Sequence, residues 1–203
     1  MITVWRICKR QLLRNAFSGE AAAATGGRWN APGTPIVYTA ATQSLAALEI
    51  LVHTADPNDL VDLDYVVIPV ELDGHLILDP PKLPKNWRTY PAPPSTMKLG
   101  NLWAASKASV ALRVPSVIIP AESNYLLNPA HPHFQKLPIG KPHSFKFDNR
   151  LTQSPAPRSR KAKYADDDLS RGCGGCGCLM FWIVFILFIS GGSHTSTTYY
   201  QKV

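Results

Sequence analysis

Apolar residues recur along the first 150 positions in short runs cut by proline and glycine, and two stretches keep a helical period. From Ser44 to His53, positions 45, 48, 49 and 52 share one helical face; Leu45, Leu48 and Val52 are apolar, and the fourth residue is Glu49. The rest of that stretch is also mostly apolar, which predicts a helix covered all round with its carboxylate held away from open water. A second helix is expected near Met97–Ser109, after a Pro-rich loop from Pro80 to Pro94.

Strands are predicted at Ile2–Ile7, Leu63–Leu72, His75–Leu78, Ser109–Ile119, Ser123–Leu127 and His143–Phe147. Gly26–Asn30 and Pro35–Thr39 read as a further pair of short strands, joined by the turn Ala31-Pro32-Gly33-Thr34. In Leu63–Leu72, Val66, Ile68, Val70 and Leu72 fall on one side, and Pro69 suggests an edge position. Asp73-Gly74 has the composition of a hairpin turn. Strands with two or three interspersed helices mean α+β, with a mixed or antiparallel sheet instead of a regular βαβ alternation.

Composition changes that picture mainly at the C-terminal end. The chain has 203 residues and eighteen prolines, and its first 150 residues suffice for one core. They carry 15 Lys and Arg against 11 Asp and Glu, scattered and not striped, which argues against a nucleic-acid face and suits a small anionic ligand. Cys8 is the one cysteine before position 150 and no secretory signal opens the chain, so this part is expected in the cytosol. The expected organisation is a catalytic domain at 1–150, a Pro/Ser/basic linker with a Gly/Cys segment at 151–178, and an apolar stretch with a polar tail at 179–203.

Three constellations carry candidate chemistry. Gly27-Arg28-Trp29-Asn30 lets the backbone approach a ligand and places a guanidinium that can fork onto a phosphate or carboxylate; a tight turn with a solvated Arg is the alternative. Tyr38, ten residues beyond Arg28, can stack on a planar ring or serve as an ordinary core aromatic. Ser116 lies in an apolar run, and its hydroxyl needs a partner if buried; it lacks the Gly-x-Ser-x-Gly setting of a nucleophile. Glu122 to Pro132 offers Asn and His between apolar pairs, suited to reading a ribose or an amide, with Asx-turn chemistry as the competing explanation of Asn128. A buried carboxylate at Glu49 needs either an Arg partner or a chemical task. No phosphate-binding glycine motif is present, and His131-Pro132-His133 is too short for a metal site, so no metal is expected.

Taken together, Arg28 in Gly-Gly-Arg-Trp-Asn, Glu49 in Ala-Leu-Glu-Ile-Leu-Val-His and Ser116 in Leu-Arg-Val-Pro-Ser resemble the signature residues of the RES domain, named for its Arg, Glu and Ser. Asn124–Pro132 resembles that domain's C-terminal signature, and the resemblance runs from about Val4 to Phe147. It implies a fold similar to ADP-ribosyltransferases. It also implies a toxin of a toxin–antitoxin pair that destroys NAD+ by hydrolysis or phosphorolysis of the nicotinamide–ribose bond. NAD+ would then be substrate, with no cofactor. Arg28, Glu49 and Ser116 would be catalytic, and Arg28, Tyr38, Trp29 and Asn124 would bind substrate. The implied partner is an antitoxin with an Xre-like helix-turn-helix region, and a homo-oligomer is expected.

The tail has no counterpart in that resemblance. Leu179–Ile189 gives eleven apolar residues, short of the ~20 a membrane span needs. The uncharged stretch Gly172–Gly192 could just cross a bilayer, with the preceding basic residues keeping the enzyme cytosolic. Cys173, Cys176 and Cys178 suit lipidation or a three-thiolate metal site, and a disordered extension is the competing outcome. Two other functions compete with NAD+ destruction: transfer of ADP-ribose to a protein, and an inactive membrane-tethered or interaction protein.

Overall fold

Alternating apolar residues build the centre of the sheet. Ile2–Lys9 forms β1, and Tyr65–Leu72, here termed β3, pairs with it antiparallel from Ile2 opposite Leu72 to Lys9 opposite Tyr65. The computed structural model describes residues 1–56 and 58–151. The expected linker, cysteine segment and Leu179–Ile189 stretch therefore lie outside the described residues. The other strands are β2 (Val37–Ala40), β4 (Ile77–Leu78), β5 (Ala111–Pro115), β6 (Ser123–Leu127) and β7 (His143–Phe145). Among the described residues they make a seven-stranded sheet in the order β4-β5-β6-β2-β1-β3-β7. Neighbours run antiparallel except β4 and β5, so the fold is α+β with a mixed sheet, as the sequence predicts.

Both faces of the sheet are covered. Val66 and Ile68 pack with Cys8 and Ala16, while Val70 and Leu72 join Val4, Val37, Tyr125 and Leu127, which accounts for the period-two pattern in β3. The opposite face carries helices α2 (Gln43–His53) and α4 (Pro94–Ser106). Leu45 and Ala46 of α2 pack on Ile7, Ala40 and Val67; Trp103 and Ala104 of α4 pack on Leu112, Val114 and Leu126. Two short helices, α1 (Glu20–Thr25) and α3 (Asp59–Asp62), are the other α-helices among the described residues. No helix among the described residues is long and apolar enough to cross a membrane.

Several expectations need correction. Gly26–Asn30 is not a strand: Gly27 and Asn30 form a single bridge in a tight loop whose Gly26 has φ +76°, a conformation that L side chains disfavour. Asp73-Gly74 does not turn a hairpin, because β4 crosses the sheet to pair with β5. Pro69 is not on an edge strand, yet its ring meets no ladder demand. Its carbonyl accepts from Gly140 N–H at 2.8 Å, so its own nitrogen faces the irregular 138–140 segment and not β1. The strand expected to reach Ile119 stops at Pro115. There Ser116 Oγ accepts the N–H groups of Ile118 and Ile119 at 3.1 and 3.2 Å and bends the chain out of the ladder.

Helix α2 is not covered all round either, since Val52 is 55% exposed and the helix keeps one solvated side. Its start is fixed by Thr42, whose Oγ1 accepts from Leu45 N–H at 3.0 Å and donates to Glu122 in the β5–β6 turn at 2.9 Å. Thr42→Ala should lower unfolding free energy by about 1 kcal/mol, measured by denaturant titration. An unchanged midpoint would mean the cap contributes nothing to holding α2.

Candidate active site

Four elements converge on the carboxylate of Glu49. The residue leaves the second turn of α2 with its side chain 27% exposed, neither sealed in the core nor free in solvent. One carboxylate oxygen, Oε1, accepts two hydrogen bonds: from Ser116 Oγ at 3.0 Å and from Asn124 Nδ2 at 2.6 Å. The other, Oε2, stands 3.9 Å from Nε2 of exposed His53, one helical turn on. The Ser116 hydroxyl has one proton, given to Glu49, and its oxygen already receives two backbone N–H groups. In this state it is a strut for the carboxylate.

Arg28 stands close enough for its charge and that of Glu49 to act on each other. Burial pulls the guanidinium below its ordinary range, and the charge of Glu49 offsets part of that shift. Its Nη1 donates to the carbonyls of Trp87 and Thr89 at 2.8 and 2.9 Å. The Pro-rich loop thereby becomes a wall beside Arg28, with Tyr90, 90% exposed, at its outer rim.

Tyr38 lies two residues from Ala40, which is paired with Asn124, so Tyr38 and Asn124 share the helix-bearing face of the sheet. Burial raises the Tyr38 phenol above its ordinary value, and the group stays protonated. It donates to Asn30 Oδ1 at 2.8 Å and accepts from Trp29 N–H at 3.1 Å. The close approach expected at Gly27 is therefore to the protein itself: a Cβ there would stand 2.6 Å from the Tyr38 hydroxyl. Trp29, expected to touch substrate, has its side chain in the core, 2% exposed, against Ile36 and Trp103.

The structure thus brings Arg28, Tyr38, Glu49, Ser116 and Asn124 together and leaves the Trp29 ring behind them. Asn128 and His131 stand apart. Asn128 Oδ1 accepts Ala130 N–H at 3.0 Å in the Asx turn before proline, and its Nδ2 holds Ala104 O. Sequence reasoning missed Asn30, fully buried, whose amide nitrogen ties Ala22, Ala31 and Thr34 while its oxygen holds Tyr38. It also missed the Trp87 and Thr89 carbonyls, since main-chain acceptors leave no mark in residue type.

A family model described as the RES domain matches residues 3–148. The chain belongs to the RES domain family. A relative named Toxin Res from Yersinia enterocolitica is 42% identical over 149 residues, covering 73% of this chain and 98% of the relative. A Sphingobium relative named Prs ADP-ribosylating toxin is 35% identical, covering 72% of this chain and 94% of its own length. Among solved structures, the crystal structure of the M. tuberculosis MbcT–MbcA toxin–antitoxin complex matches with a TM-score of 0.54 at 20% identity. That match covers 71% of this chain and 84% of that one, and is a likeness of fold. Arg28 and Ser116, expected from the sequence to act with Glu49, lie around its carboxylate.

Proposed function

We propose that this RES protein is the toxin of a toxin–antitoxin pair and that it depletes NAD+ by breaking the nicotinamide–ribose bond. The observation that carries the reading is the partly exposed Glu49 carboxylate, fixed through one oxygen by Ser116 and Asn124 with the Arg28 cation nearby. As the C–N bond breaks, its electron pair goes to the pyridinium nitrogen and nicotinamide leaves neutral, so no general acid is required. The positive charge left on the ribose is oxocarbenium-like, and Glu49 stabilises it. Water or phosphate then bonds to the anomeric carbon and gives up a proton. Arg28 binds the pyrophosphate through the donors that the loop carbonyls do not take. Tyr38 and Ser116 act from behind, one holding the Arg28 loop and the other the acid. The site works in the cytosol, where its substrate is, and an antitoxin protects the host; the pair named in the M. tuberculosis complex supports that partner.

The Sphingobium relative's name favours a second reading, transfer of ADP-ribose to a protein. One experiment separates them. Purified protein is incubated with labelled NAD+, with and without phosphate, and the products are identified. Free ADP-ribose or its phosphate supports NAD+ destruction, and label held on protein supports transfer. Intact NAD+ in both would end the proposal.

A further inference from the structure

Among the described residues, Asn124 and Arg6 each bury a side-chain polar atom that has no hydrogen-bond partner. Asn124 lies on β6, its backbone paired with Ala40 on one side and Val114 on the other. Its amide nitrogen meets Glu49 Oε1 at 2.6 Å, the shorter of the two bonds to that oxygen. A carboxylate offers only acceptors, so the amide nitrogen must face it and the amide orientation is fixed. The Asn124 oxygen is thereby turned away, buried, and without a donor among the described residues. Such an orphan costs stability. An amide retained at that cost is explained by what its nitrogen does.

Resting on the reading of Glu49 given above, we propose that Asn124 is a positioning residue. With Ser116 it pins Oε1, so that the carboxylate presents Oε2 alone to the reacting ribose. Two donors on one oxygen define both the position and the rotation of the carboxylate plane, which one donor cannot do. Ser116 reaches it from the end of β5 and Asn124 from β6, so the clamp spans two neighbouring strands. The charged and titratable groups facing the carboxylate are Arg28 from the loop before β2, Tyr38 from β2 and His53 from α2 itself. All three remain in the variants below.

The test uses Asn124→Asp and Asn124→Ala in the full chain, with NAD+ consumption followed from pH 5 to 9 beside wild type and Glu49→Gln. Asp at 124 matches Asn in shape but donates to Glu49 only when protonated. The two carboxyl groups share one proton at low pH, and the clamp is kept. As pH rises that proton is lost, the pair repels, and the clamp opens. Turnover relative to wild type at the same pH should therefore be highest near pH 5 and fall about ten-fold or more toward pH 9. Asn124→Ala should lower kcat by roughly 100-fold with little change in KM, because a misaimed group costs rate more than binding. Its melting temperature should hold or rise, since the orphan oxygen is gone. A simple structural role predicts the reverse, a lower melting temperature and a pH profile parallel to wild type. If Glu49→Gln is dead but Asn124→Asp follows wild type across the range, the positioning role is overturned and the role of Glu49 stands. If wild type leaves NAD+ intact, the underlying reading fails and this one falls with it.

Discussion

Glu49→Gln should lower the rate of NAD+ loss by about 1,000-fold while leaving the protein folded. The loss of one preorganised electrostatic group in a catalytic site costs about 10²–10³ in kcat, and in the proposed mechanism the lost group carries the full negative charge opposite the developing cation. The fold should tolerate the change for a local reason. Gln keeps a carbonyl oxygen where Oε1 stands, able to accept from Ser116 Oγ and Asn124 Nδ2 at the present distances. Its amide nitrogen would take the Oε2 position, beside exposed His53 and in reach of water. KM for NAD+ should change less than kcat, since the proposal assigns ground-state binding to Arg28. The measurement is a kcat and KM pair from purified variants, with circular dichroism to confirm folding. A variant that retains wild-type turnover would remove Glu49 from the mechanism.

Gly100→Ala should be the most damaging small substitution outside the site. A glycine inside a helix ordinarily costs ~1 kcal/mol relative to alanine, so a gain would be the default expectation for α4. The packing reverses the sign. A Cβ at Gly100 would run into the carbonyl oxygen of Trp29, with the Trp29 carbonyl carbon 2.8 Å away, and these are backbone atoms that cannot rotate aside. Either α4 or the Arg28–Trp29 segment must move, and overpacking of this kind costs about 3 kcal/mol. Arg28 is next to the displaced peptide, so its bonds to Trp87 and Thr89 should weaken and NAD+ affinity should fall with stability. Thermal melts and KM values check this together. An alanine variant as stable as wild type would mean that α4 and the Arg28 loop are not in contact.

Glu49 shows how far the pattern of the chain could be read. An acidic residue among Leu45, Leu48 and Val52 marks the position as a candidate for a chemical task, and the helix around it is found at Gln43–His53. Burial on all sides is not found, because apolar composition does not say which face meets the sheet. Only one side of α2 rests on Ile7, Ala40 and Val67, and Val52 points outward. Trp29 gives the opposite lesson: adjacency to Arg28 made it a candidate for substrate contact, but its ring turns into the core beneath α4. Neighbours in a loop point in opposite directions, and sequence spacing does not choose between them.

The sequence alone determined the strand-rich α+β class and the helix that carries Glu49, because these follow from local periodicity and residue chemistry. Only the tertiary structure decided that Asn124 and Ser116 hold the same oxygen of Glu49, that loop carbonyls anchor Arg28, and that β4 crosses to pair with β5. Those arrangements depend on contacts between residues 59 to 75 positions apart for the site bonds and on strand order for the crossover. Neither is encoded by any short stretch, since each forms only when distant segments are packed against a common sheet.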